Sequence, residues 1–212
     1  MKLSILSILS LGFAFSCSQP KEEVQIEVEP DTSKYLHAPL VENSYTADPS
    51  AHVFEGKIYI YPSHDIETEV AEDDMGSHFD MKDYHIFSMD KPGGTVTDHG
   101  VALKLEDVPW AGRQLWAPDA ATKDGKYYLY FPAKDMNDIF KIGVAVSDRP
   151  EGPFTAEPQP IEGTFSMDPA VFQEGNEFYL LFGGIWGGQL QWYEDQKLVA
   201  GRKGPTEGIP AA

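Results

Sequence analysis

Two aspartate–proline pairs carry the most chemistry in this sequence. Asp48-Pro49 and Asp168-Pro169 open two stretches of the same form, Asp48–Ser63 and Asp168–Gly184. A pair of carboxylates flanking a bond is the equipment of glycosidic hydrolysis, in which one group activates water or attacks and the other gives a proton to the leaving oxygen. Asp before Pro also starts turns, so either pair alone is ordinary turn chemistry. Their matched places are what single them out.

Other side chains suit a sugar ligand. Trp116 stands just before a third stretch of that form, and Trp186 follows the last one, in Gly183-Gly184-Ile185-Trp186-Gly187-Gly188. A flat apolar ring fits the C–H face of a sugar, although packing between sheets uses the same property. His64 and Asp65 come at the end of the first stretch and offer hydrogen bonds to sugar hydroxyls. Asp73, Asp74, His78, Asp80 and Asp83 form an acidic loop that attracts calcium in principle. It lacks the spacing of an EF-hand and reads as a solvated loop, so no metal ligand is assigned. The chain has no G-x-S-x-G, no H-E-x-x-H and no glycine-rich phosphate loop, which removes serine hydrolases, zincins and nucleotide-dependent enzymes.

These residues sit on repeated elements. Asp48–Ser63, Ala117–Ala133 and Asp168–Gly184 each contain a Pro-bearing opening, a short apolar run, a Gly turn and an aromatic-rich strand. Gly56, Gly125 and Gly175 mark the turns, where glycine accepts positive φ at little steric cost. The strands that follow, Ile58 to Tyr61, Tyr127 to Phe131 and Phe178 to Phe182, are β-branched and aromatic. Further strand-like runs at Tyr84–Ser88 and Lys141–Ser147 each lead into a Pro/Gly turn. Four short antiparallel strands per unit make a propeller blade, and equivalent positions of successive blades converge on one axis. The expected fold is all-β, a β-propeller represented by about three blades. A small open sandwich of three stacked sheets is the competing arrangement, disfavoured because its last sheet would present a bare face.

Composition narrows the ligand. The chain has 212 residues, with 34 Asp and Glu against 16 Lys and Arg for a net charge of −18. Such a balance repels phosphate backbones and anionic headgroups, so no nucleic-acid partner and no electrostatic membrane docking is expected. Four Trp, ten Tyr and twelve Phe supply a core, while 19 Gly and 16 Pro favour short strands and many turns.

The N-terminus is different in kind. Lys2 precedes an apolar run through Leu3, Leu6, Leu9, Phe13 and Phe15, too short to cross a hydrocarbon core of about 30 Å. The run ends at Cys17, the only cysteine, which rules out an intrachain disulfide. Residues 1–17 resemble a bacterial lipoprotein leader whose cysteine is acylated after cleavage; a plain secretory leader with an incidental cysteine is the alternative. Residues 18–37 read as a flexible acidic stalk, 38–200 as a partial propeller and 201–212 as a disordered tail. The expected location is the bacterial cell envelope, with the protein tethered by lipid at the outer membrane, on its periplasmic face or at the cell surface.

Four motifs in order resemble glycoside hydrolase family 43. They are Thr46-Ala47-Asp48-Pro49-Ser50, Leu115-Trp116-Ala117-Pro118-Asp119, Ile142 to Ser147 followed by Pro150-Glu151-Gly152-Pro153-Phe154, and Ser166-Met167-Asp168-Pro169-Ala170-Val171-Phe172. The resemblance implies a five-bladed β-propeller that hydrolyses arabinose- and xylose-containing plant polysaccharides with inversion. It implies Asp48 as the general base and Asp168 as the residue that raises the pKa of the acid and orients it. It also implies a proton-donating Glu in a later blade, with no cofactor required and room for calcium through residues of later blades. Glu207, in Thr206-Glu207-Gly208, imitates the donor motif, but no strand follows it. The expectation is therefore a hydrolase whose chain, as given, is inactive or nearly so. A noncatalytic carbohydrate-binding propeller is the alternative. A related family acting on fructans would show a W-M-N-D-P-N-G type opening, which is absent around Asp48.

Overall fold

Local turn chemistry builds the first hairpin. The computed structural model describes residues 38–73, 76–183, 193–194 and 197–199. Cys17, Asp74, Trp186 and Glu207 lie outside them. The chain divides between Ala38 and Pro39, and the described elements belong to the second unit. Strand β1 (Tyr45–Phe54) returns as β2 (Lys57–Asp65) through Glu55 and Gly56, both at positive φ (51° and 77°). This is the mirror-type turn whose twist matches that of the strands. Strands β3 (Asp83–Met89) and β4 (Thr97–Lys104) complete a four-stranded antiparallel sheet in sequence order. The described residues of the acidic loop between β2 and β3 form no helix or strand.

The second sheet repeats the plan with one addition. Strand β5 (Ala111–Arg113) precedes β6 (Asp119–Lys123) and β7 (Lys126–Asp135), and the β6–β7 turn again puts Asp124 and Gly125 at positive φ. Strands β8 (Phe140–Ser147) and β9 (Thr155–Ala156) follow on the far side of β7. The addition is β5, which pairs with the end of β7 that β6 leaves open, Ala111 facing Asp135. The third unit contributes β10 (Met167–Glu174) and β11 (Glu177–Gly183), paired with each other. Here Gly175 takes the first of the two turn positions, not the second, and only it has positive φ. The three turn glycines are therefore equivalent in role but offset by one residue in the last hairpin. Short strands β12 (Tyr193–Glu194) and β13 (Lys197–Leu198) pair with each other. Among the described residues the only helical element is a single 3-10 turn, Leu105–Asp107.

Alternation along the strands fills the space between the first two sheets. Phe54, Tyr61, Tyr84 and Ile86 from one meet Tyr127, Leu129, Phe131 and Ala145 from the other in one buried cluster. Phe54 and Tyr127 make an edge contact at 5.3 Å between ring centres, and the Tyr61 hydroxyl donates to the Pro150 carbonyl at 2.7 Å. Trp110 stacks on Phe131 at 6.0 Å, and both rings lean on Gly143. A Cβ at Gly143 would stand 2.6 Å from each, so only glycine fits. Near the axis the innermost strands β1, β6 and β10 meet. The buried Asp119 carboxylate of β6 accepts from His52 Nε2 of β1 and from the Val171 amide of β10, each at 2.6 Å. The result is two propeller blades and the inner hairpin of a third. The outer face of that hairpin carries Phe172, Tyr179 and Leu181 in the open.

Candidate active site

Both aspartate–proline pairs are β-bulges. In β1 the register with β2 jumps between Ala47 and Ser50, and in β10 the register with β11 jumps between Met167 and Ala170. At each jump the aspartate has left-handed backbone, φ 46° at Asp48 and 52° at Asp168. A residue before proline is normally extended, and a left-handed non-glycine residue costs about 1–3 kcal/mol, so the surrounding strands must hold this shape. Serines do part of that work. The Ser63 hydroxyl donates to the Ala47 carbonyl at 3.3 Å, and the buried Ser166 hydroxyl donates to the Gly183 carbonyl. A bulge re-aims a side chain, and here it turns both aspartates toward one place.

That place is a cavity of about 390 Å³ lined by Asp48, Asp65, Phe79, Trp116 and Asp168, among others. Ala117, in the position of the second repeat that matches the two aspartates, lines it as well. Behind it a second hollow is walled by all three X-Pro pairs, Asp48-Pro49, Ala117-Pro118 and Asp168-Pro169. Both aspartates keep solvent access. Partial desolvation by the surrounding strands, and then the negative charge of Asp48, lift the Asp168 carboxyl above its ordinary pKa.

An aromatic wall stands beside them. The Trp116 indole rests on Phe140 at 4.5 Å between ring centres, and its N–H donates to the Phe79 carbonyl at 2.7 Å. Phe79 meets it edge-on at 6.3 Å. The loop bearing Phe79 crosses the indole at Gly76, where a Cβ would lie 2.9 Å from the ring. Gln114, fully buried at φ 62°, fastens that loop by donating from Nε2 to the Gly76 carbonyl at 2.7 Å. The Leu115 amide adds a bond to the Met81 carbonyl at 3.1 Å.

The structure separates the other candidates. Asp65 lines the cavity, and its carboxylate, 3.1 Å from Ser63 Oγ, shares that hydroxyl's one proton with the Ala47 carbonyl. His64 is not brought to the cavity with it. Successive strand residues point to opposite faces, and the His64 ring nitrogen Nδ1 lies 2.5 Å from Asp83. Trp186 falls outside the described residues. The described members of the acidic loop have local partners. Asp73 caps the Ser77 amide, Asp80 pairs with Lys82 and Asp83 pairs with His64.

Sequence reasoning missed four residues. Phe79 could have been found as an aromatic side chain in a polar loop, and Asp119 as the last member of the Leu115-Trp116-Ala117-Pro118-Asp119 motif. Burial pushes the Asp119 carboxyl up, but the hydrogen bonds from His52, Val171 and Ala120 outweigh it and leave the pKa below the ordinary value. Gln114 and Lys134 carry no local signal. Lys134 is buried with its ammonium 5.0 Å from the Phe140 ring, the ring on which Trp116 rests. Desolvation, and then the nearby Arg113, hold its pKa down.

A bladed all-β fold with carboxylates on its innermost strands is the architecture in which the chain's relatives are found. The chain belongs to the glycosyl hydrolases family 43, whose sequence profile matches residues 36–203. Xylosidase/arabinosidase 43A of Humicola insolens is 66% identical over 160 residues, which are 74% of this chain and 49% of that protein. A xylosidase/arabinosidase of Bacteroides ovatus is 57% identical over 177 residues, 81% of this chain and 54% of that protein. Among solved structures, a family-43 beta-xylosidase/alpha-arabinofuranosidase from a compost metagenome, in complex with xylotriose and in a calcium-free form, superposes with a TM-score of 0.76 at 64% identity. That alignment covers 78% of this chain and 51% of the other. The chain spans about half the length of the relatives it matches.

Proposed function

We propose that the chain carries the base side of an inverting glycoside hydrolase acting on O-glycosidic bonds of xylose- and arabinose-containing oligosaccharides or polysaccharides. The observation that carries this reading is that Asp48 and Asp168, on matching bulges, share one cavity with Trp116. Asp48 takes a proton from the water that attacks the anomeric carbon. Inversion needs the base and the acid on opposite sides of the sugar, about 6.5–9.5 Å apart, and the acid must stay protonated near neutral pH. The negative charge of Asp168 serves that end, because an ionised carboxylate disfavours ionisation of a second one. The resemblance implies a Glu of a later blade as that acid. Trp116 and Phe79 offer apolar surface to the sugar face, and Asp65 offers an acceptor to its hydroxyls. The names of the relatives and the xylotriose complex support a pentose-based substrate.

The test is release of pentose from 4-nitrophenyl β-xylopyranoside and α-arabinofuranoside by the protein that contains this chain. Asp48→Asn should lower kcat by a factor of about 10²–10⁴ with KM little changed. Asp168→Asn should lower kcat and move the alkaline limb of the pH profile to lower pH, since the acid loses the charge that keeps it protonated. Wild-type turnover in Asp48→Asn refutes the assignment. Xylotriose binding without hydrolysis in the unaltered protein selects a noncatalytic capture protein instead.

The apolar run ending at Cys17 supports an envelope protein tethered by lipid, reached through a secretion signal. Labelling with a palmitate analogue that disappears in Cys17→Ala, with release of the protein from the membrane fraction, is the expected result. Unchanged membrane association in Cys17→Ala rejects it.

A further inference from the structure

The backbone ladder between β2 and β3 stops early. It runs from Ile58 facing Met89 to Ile60 facing Phe87, and no further rung joins the two strands. Beyond it, β2 continues to Asp65 and β3 begins at Asp83. Side chains bridge the gap. His64 Nδ1 lies 2.5 Å from Asp83 Oδ1, and the His64 and His85 rings are 4.6 Å apart between centres. One ring nitrogen from each histidine and one carboxylate oxygen of Asp83 all lie within 4.8 Å of one another. Among the described residues this is the one place where three such donors come together.

Three observations point to a cation. Asp98 lies 3.2 Å from His85 Nδ1, the outer-carboxylate arrangement that fixes the ring of a metal-ligating histidine and leaves its other nitrogen as a ligand. The ion-pair partners of Asp83 and Asp98 among the described residues are these two histidines, with no Lys or Arg. All three donor residues are half-buried, open enough for an ion to enter.

We propose that His64, Asp83 and His85 form a divalent-metal site of the zinc class that clips β2 to β3 where their backbone ladder has ended, with Asp98 orienting His85. Two imidazole nitrogens and one carboxylate oxygen suit zinc, whereas calcium and magnesium take oxygen shells. Small movements suffice, since zinc needs its nitrogens at about 2.0–2.1 Å. The clip bears on the pocket through chain connectivity: His64 faces the metal, and its neighbour Asp65 faces the cavity. The site is distinct from the Asp48 and Asp168 machinery, so its failure leaves the proposed function standing.

The experiment is a zinc chloride titration of the chelator-stripped full chain against a chromogenic competitor. One zinc per chain is expected, with X-ray absorption showing two imidazole ligands. His64→Ala and His85→Ala should each weaken binding at least about tenfold, and Asp98→Asn about 10–100-fold. His78→Ala and His99→Ala should leave it unchanged, and calcium chloride should not compete. His85→Gln, which keeps most of the side-chain volume, must give the same loss if the alanine variant misfolds by circular dichroism. No saturable zinc uptake, or equal uptake in the His64→Ala/His85→Ala double variant, overturns the proposal.

Discussion

Replacing Asp119 with alanine removes a carboxylate that joins all three inner strands. Its side chain is 8% exposed and that of its partner His52 is 29% exposed. The loss strands the Val171 and Ala120 amides and the His52 ring nitrogen. A hydrogen bond to a charged group contributes about 1.5–3 kcal/mol, and a buried donor left without a partner costs about 1–3 kcal/mol. His52 regains water and adds little, so the total falls near 3–5 kcal/mol, the range for breaking a buried pair. For a domain of this size that lowers Tm by roughly 10 °C. Urea unfolding followed by tryptophan fluorescence at pH 7 measures it. The sign with pH is also fixed. The folded pKa of Asp119 is depressed, so its contribution is present above the ordinary value of 3.8 and fades as the pH falls through the folded value. The gap between wild type and Asp119→Ala should narrow in acid. A variant within about 1 kcal/mol of wild type at pH 7 would refute the view of Asp119 as the hub.

Other outcomes follow from the same geometry. Asp168→Asn removes a carboxylate whose folded pKa is raised, so it should slightly increase resistance to urea at neutral pH and not at acid pH; solvent access keeps the gain under about 1 kcal/mol. Gly143→Ala forces a Cβ to within 2.6 Å of the Trp110 and Phe131 rings and should cost about 1–3 kcal/mol in thermal unfolding. Gly76→Ala combines a 2.9 Å contact on Trp116 with φ 65°. It should lift the loop, weaken xylotriose binding in calorimetry and cost about 1–3 kcal/mol in urea unfolding.

What was legible in the sequence was local. The two-residue turns at Gly56 and Gly125 and the alternating strands beside them need only near neighbours, and the repeat they form is enough to place Asp48 and Asp168 around one centre. The bulges were not legible, because proline argues for extended backbone before it and the left-handed turn at each aspartate is imposed by partner strands. Strand β5 was hidden for a similar reason: three residues carry no period, and their pairing with β7 is a tertiary event. The alternation rule could have split His64 from Asp65, since adjacent strand residues face opposite ways. Gln114 has no signature at all; its importance comes from the Gly76 carbonyl, in a loop far away in the chain.

The left-handed backbone at 48 and 168 restricts which residues evolution can try there. Asparagine shares the tolerance of aspartate for that conformation, while β-branched and bulky side chains do not. A single amide can therefore silence either acid without disturbing the scaffold. A lineage that retired the proposed cleavage and kept the proposed sugar capture would have a one-step route, and an asparagine before either proline in a homologue would mark its passage.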